Sequence, residues 1–164
     1  MEAITITTEG KGERYEELLP QLSALLNDED DLIANLANVS AVLKTTFPSF
    51  SWVGFYRLEN NELILGPFQG KVACVHIAMG RGVCGTAAKE RKTLIVPDVK
   101  QFPGHIACDP DSKSEIVVPL IYEEELFGVI DIDSNKIDSF DEIDQNYLEE
   151  IAKKIAPKFI YSQK

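Results

Sequence analysis

Apolar residues recur at helical spacing near the start of the chain, alternate with polar ones through the middle, and return to helical spacing at the end. In "YEELLPQLSALLN", Leu18, Leu19, Leu22, Leu25 and Leu26 predict one helix. In "DDLIANLANVSAVLKTTF", Ile33, Leu36, Val39, Leu43 and Phe47 predict a second. The acidic run Asp28 to Asp31 divides the two and suits the positive N-terminal end of the second. Six strands follow. "SWVGFYRLE" and "NELILGPF" form a hairpin across Asn60–Asn61, "VACVHIA" and "TLIVPD" come next, and "EIVVPLIY" and "LFGVIDID" are joined by an acidic turn at Glu123 to Glu125. A last helix begins at Ser139, with Glu142 completing a capping box and Ile143, Tyr147, Ile151 and Ile155 along one face. This order predicts a single α+β domain over residues 1–164, built on an antiparallel sheet of about six strands with helices from both ends packed on it.

Strand alternation sorts the candidate chemistry. Phe127, Val129, Asp131 and Asp133 share one face of their strand. Glu115 opens the preceding strand, so a hairpin about Glu123–Glu124 brings it beside Asp131 and Asp133. Three carboxylates at one sheet end repel one another, and burial raises the pKa of at least one. Such a group holds a proton at neutral pH and can donate it. Trp52 and Tyr56, four residues apart, share a face of theirs. Cys74 falls on the face of "VACVHIA" that carries Val72, His76 and Ala78.

"GRGVCG" matches the dinucleotide fingerprint G-x-G-x-x-G through Gly80, Gly82 and Gly85, with Asp98 downstream. The only helix available after it, "TAAKER", is too short for a parallel crossover. The motif reads instead as a tight turn that starts a short helix, and Cys84 stands at that start, where free N–H groups and the helix dipole lower a thiol's pKa. Cys108 lies in the polar stretch "GHIACDPDSKSEIVVP", within a long segment from Pro97 to Ser114. Loops of this length are commonly functional. This one reads as a lid carrying a water-exposed thiol beside Glu115.

Charge and composition narrow the classes. The 164 residues carry 27 acidic and 16 basic side chains, a net charge of −11, with the lysines scattered. That surface repels a phosphate backbone, which argues against a nucleic-acid partner. The longest apolar runs are too short to span a bilayer, and "MEAITITTEGKGER" lacks the pattern of a secretion signal. The expected location is the cytoplasm, where three cysteines are reduced at rest, and an odd count argues against a structural disulfide framework.

Taken together, "SWVGFY", "LGPFQGKVACVHI", "GRGVCGTA", "HIACDPDSKSEIVVP" and "GVIDIDS" resemble the free methionine-(R)-sulfoxide reductases, a family of GAF-domain enzymes. The resemblance covers nearly the whole chain and implies a GAF-like fold that reduces the free amino acid sulfoxide, protecting against oxidative damage. It implies that Cys108 is the nucleophile that becomes a sulfenic acid, that Cys74 resolves it as a disulfide, and that Cys84 is a second resolving thiol or an alternative nucleophile. It further implies that Glu115, Asp131 and Asp133 recognise the substrate and protonate its oxygen, while Trp52 and Tyr56 wall the pocket. The resemblance also implies that no cofactor is bound, that thioredoxin, kept reduced by NADPH through thioredoxin reductase, supplies electrons, and, as an expectation from the fold, that the chains pair through helices as a homodimer. Two rivals remain: a ligand-binding GAF module that signals, and a zinc site drawn from Cys74, His76, Cys84, His105 and Cys108, whose spacing is a weak zinc signal.

Overall fold

The computed structural model describes residues 4–27, 31–106 and 108–161. Helices α1 (Lys11–Asn27) and α2 (Leu32–Thr46) lead into strands β1 (Trp52–Glu59), β2 (Glu62–Gln69) and β3 (His76–Ala78). Helix α3 (Gly82–Glu90), strand β4 (Leu94–Val96) and a 3-10 turn at Val99–Gln101 follow. The long hairpin of β5 (Ser114–Tyr122) and β6 (Glu125–Ser134) precedes α4 (Glu142–Ile155) and the short α5 (Lys158–Tyr161). The strands form one antiparallel sheet in the order β3-β2-β1-β6-β5-β4. No helix among the described residues is long and apolar enough to cross a membrane.

The sheet is sandwiched between two layers. Val53, Phe55, Ile116, Val118, Leu120, Ile130 and Ile132 face a core shared with α1, α2 and α4. The alternate positions Trp52, Tyr56, Val117 and Val129 face a second core that includes Val83, Cys84, Ala87 and Ala88 of α3. Burying both faces explains why β5 reads as an almost unbroken apolar run. A buried polar link ties the helical layer together. The fully buried Asp144 accepts from the Tyr15 hydroxyl at 2.9 Å and from Lys11 Nζ at 2.6 Å, joining α1 to α4.

Several local expectations are corrected. The α4 capping box is formed by Asp141 and Asp144, whereas Ser139 bonds to Ser134 and the Lys136 carbonyl. Ile33 and Ile143, expected on buried faces, are 49% and 43% exposed, because α2 and α4 turn Leu36, Val39, Leu148 and Ile151 inward. Of the acidic run before α2, Asp28 to Asp30 lie outside the described residues, while Asp31 is the N-cap and accepts from the Ala34 N–H at 2.8 Å.

Strand β3 is shorter than "VACVHIA" predicts. Residues 71–74 leave the ladder because the Trp52 indole N–H takes the Lys71 carbonyl at 3.0 Å and the Tyr56 hydroxyl takes the Cys74 carbonyl at 3.1 Å, and Val75 keeps only its carbonyl bond to the Leu65 N–H. Nor does Phe127 share a face with Asp131. Leu120 pairs with Gly128 and Ile121 with Leu126, so Phe127 is an extra residue in β6 and turns onto Phe159 of α5, with ring centroids 5.6 Å apart. Gly128, beside this bulge, crosses β1 so closely that an added Cβ would lie 2.1 Å from the Tyr56 carbonyl oxygen. Gly128→Ala is therefore expected to cost roughly 2–4 kcal/mol, read as a lower denaturant midpoint at unchanged slope; a variant as stable as the parent would show that β1 and β6 can separate at this point.

Candidate active site

The β5–β6 register sets Glu115 opposite Asp133 and Val117 opposite Asp131. Because alternate residues share a face, all three carboxylates point away from the three-helix layer, as the sequence predicts. Glu115 and Asp131 are only 6% and 7% exposed. Asp133 keeps more surface open, and its carboxylate accepts from the Ser112 hydroxyl at 2.7 Å. None of the three takes part in the ion pairs found among the described residues.

Burial without a cation disfavours the charged form. Desolvation therefore holds Glu115 and Asp133 well above the usual carboxylate range, and the charge of Asp131 adds to it. Asp131 itself is pushed up to about 6 by burial, against the pull of hydrogen bonds from Glu115 and Cys84. Its Oδ1 atom is buried with no hydrogen-bond partner. Glu115 and Asp133 therefore hold protons beside the pocket at neutral pH, while Asp131 gains its proton only as the pH falls towards 6.

Helix α3 covers this floor. An added Cβ at Gly85 would meet the Ala78 carbonyl at 2.4 Å, so Gly85 serves close backbone approach, while Gly80 and Gly82 supply the positive φ of 81° and 59° that the tight turn requires. That approach presses Cys84 against the carboxylates, its Sγ 3.8 Å from Glu115 Oε1. The expectation of an acidic Cys84 is overturned here. Burial first, then the charges of Asp131 and Glu115, push this thiol up, and they outweigh the helix dipole.

The two other cysteines are joined. A disulfide links Cys74 to Cys108, with Cα atoms 5.7 Å apart, in place of the reduced thiols expected from composition. The two segments meet at the pocket mouth, close enough to be bridged without backbone movement. Cys108 is half-buried, less open to water than its polar neighbours predict. Lys71 spans the same two segments, 3.4 Å from Asp109 and 2.5 Å from Asp111. Trp52 and Tyr56 stack at 6.1 Å on one side of the pocket, the shared face predicted for them.

The zinc set drawn from the sequence does not converge. His76 is exposed on the sheet edge, 3.1 Å from Glu62, and two of the three thiols are spent in the disulfide. His105 lines the pocket, and its partial burial lowers its pKa. Sequence reading does not single out Arg81 or Ser112, which also line it. The glycines flanking Arg81 were its only signal, and they mark a turn rather than a pocket wall.

The sheet is covered by helices on both faces, with a pocket between α3 and the sheet, an architecture this chain shares with a known domain family. The GAF domain family profile matches residues 27–157. GAF domain-containing protein A of Dictyostelium discoideum is 58% identical over 153 residues, covering 93% of this chain and 96% of that protein. The free methionine-R-sulfoxide reductase of Saccharomyces cerevisiae is 46% identical over 159 residues, covering 92% and 88%. The structure of the free methionine-R-sulfoxide reductase of Neisseria meningitidis in complex with its substrate superposes with a TM-score of 0.96 at 46% identity, covering 99% of this chain and 98% of that one. The chain belongs to the GAF domain family, in the group that includes the free methionine-R-sulfoxide reductases.

The buried carboxyls have a measurable signature. A carboxyl whose folded pKa is raised stabilises the fold below its unfolded value, and that stability is lost as pH rises through the folded value. For Asp131 the loss falls between about pH 4 and 6. Asp131→Asn removes it, so the variant should be more stable than the parent at pH 8 by on the order of 1–3 kcal/mol, with the gap closing by pH 4. Denaturant melts across pH would show this, and a gap independent of pH would mean that Asp131 is not held protonated by burial.

Proposed function

We propose that this protein reduces free L-methionine (R)-sulfoxide to methionine, with Cys108 as nucleophile. The observation that carries this reading is the Cys74–Cys108 disulfide at the mouth of a pocket floored by buried, cation-free carboxyls. Its support from outside the chain is the activity named for relatives of this length and similarity.

In the reduced enzyme the Cys108 thiolate attacks the sulfoxide sulfur. The S–O bond breaks, the oxygen passes to Cys108 as a sulfenic acid, and methionine leaves reduced by two electrons. Protonated Glu115, Asp131 or Asp133 supplies the proton that makes this oxygen a competent leaving group. Ionised members of the same cluster hold the substrate ammonium, for which the pocket offers no competing cation at the floor. Trp52 and Tyr56 form the apolar wall against the ε-methyl group. The Cys74 thiol then attacks the sulfenic acid sulfur, expelling water and closing the disulfide. Thioredoxin reduces it by exchange and is itself restored by NADPH through thioredoxin reductase, so the cycle needs no bound cofactor. Cys84, protonated beside Glu115, is a proton partner of the floor or a second resolving thiol rather than the first nucleophile.

The rest of the reading is a single domain over residues 1–164 acting in the cytoplasm as a homodimer, in defence against oxidative damage. Racemic free methionine sulfoxide with thioredoxin, thioredoxin reductase and NADPH is the direct test. The parent should consume half of the racemate, leaving the S epimer, and Cys108→Ser should consume none. Glu115→Gln should lower kcat by roughly 10²–10³ through loss of proton donation. Turnover retained by Cys108→Ser but lost in Cys84→Ser would keep the reaction and reverse the thiols. No consumption by the parent in an active reducing system would replace the enzyme with a ligand-binding GAF module.

A further inference from the structure

We propose that Cys84, Glu115 and Asp131 form a binding site for a thiophilic divalent cation, typified by Zn2+, at the floor of the pocket. One ligand atom from each residue lies within 4.8 Å of the other two. Cys84 Sγ lies 3.8 Å from Glu115 Oε1. Usual zinc bond lengths put neighbouring ligands of a tetrahedral site roughly 3.3–3.5 Å apart. The trio therefore needs to close by an ångström or so, not to be assembled.

A second observation points to a cation. Asp131 is 7% exposed, and its Oδ1 is buried without a hydrogen-bond partner. A buried carboxylate oxygen left unpaired is costly, and a metal ion would satisfy it. The three ligands come from α3, β5 and β6, so the fold holds them in place in the absence of metal. The donor set also chooses the ion. Two carboxylates alone would take Mg2+ or Ca2+, but a thiolate favours Zn2+ and its softer neighbours. Cys84 gives up its thiol proton to solvent on binding, and the fourth position faces the pocket, open to water. This site differs from the zinc set suggested by sequence spacing, sharing only Cys84.

The metal would occupy the place given above to the substrate ammonium. The metal site rests on geometry alone, whereas mutual exclusion of metal and substrate rests also on the proposed function. A cation here is an inhibitor, not a cofactor.

The reduced Cys74→Ser/Cys108→Ser protein, in which Cys84 is the sole thiol, is the material for the test. Equilibrium dialysis should show one Zn2+ per chain, and Co2+ should give the near-ultraviolet band of a thiolate–cobalt bond. Adding Cys84→Ser should abolish the band and weaken Zn2+ binding at least about tenfold, and Asp131→Asn, a gentler change at a different ligand, should weaken it comparably. A single cooperative thermal unfolding transition in each metal-free variant, at or above the parent's midpoint for Asp131→Asn, would confirm that they fold. No uptake, or a Zn2+ affinity that neither Cys84→Ser nor Asp131→Asn changes, overturns the site. Free methionine sulfoxide should displace the metal from the same protein. Metal that binds as expected but is not displaced would uphold the site and overturn only its sharing with the substrate.

Discussion

The pocket depends on the antiparallel register between β5 and β6. That ladder sets Glu115 across from Asp133 and Val117 across from Asp131, and alternation then delivers three acids to one face and Ile116, Val118, Ile130 and Ile132 to the other. A shift of one residue would turn the acids into the helical core and the isoleucines into the pocket. The two helical layers are unequal for this reason. One is a wide apolar cover from α1, α2 and α4, and the other is the short α3 with the segments that bear Cys74 and Cys108.

Desolvation dominates the chemistry of the floor. The carboxyls lie against apolar neighbours such as Val117, Val129 and Val83, without a paired cation, and the same dryness acts on the thiol of Cys84. Helix dipoles favour a thiolate at an N-terminus, but that contribution is small beside the cost of burying a second charge among acids. The half-buried Cys108 lies away from this floor, next to Asp109, which with Asp111 pairs to Lys71.

What could be read from the sequence was whatever follows from local periodicity. Six strands, the hairpin turns at Asn60–Asn61 and Glu123–Glu124, and the shared faces of Trp52 with Tyr56 and of Asp131 with Asp133 needed only alternation and turn chemistry. The misses share one cause, contacts between residues distant in the chain. The protonated state of Cys84 depends on its burial and on the charges of Asp131 and Glu115, both on strands distant in the chain. The early end of β3 depends on hydrogen bonds from Trp52 and Tyr56 to a later segment. Asp141 rather than Ser139 caps α4 because Lys11 of α1 anchors both Asp141 and Asp144. The resemblance supplied the link between Cys74 and Cys108, since periodicity carries no information about which loops touch.

The extra residue at Phe127 has a use beyond turning one ring onto α5. It divides the β5–β6 hairpin into an outer part near Glu123–Glu124 and an inner part bearing the acids, each with its own alternation. The inner part is held separately by its pairing with β1 from Trp52 to Arg57. Changes of length at the hairpin tip are therefore absorbed before they reach Asp131. The tip is a place where lineages can gain or lose residues, or where an engineer can splice in a peptide, while the acidic face keeps its order.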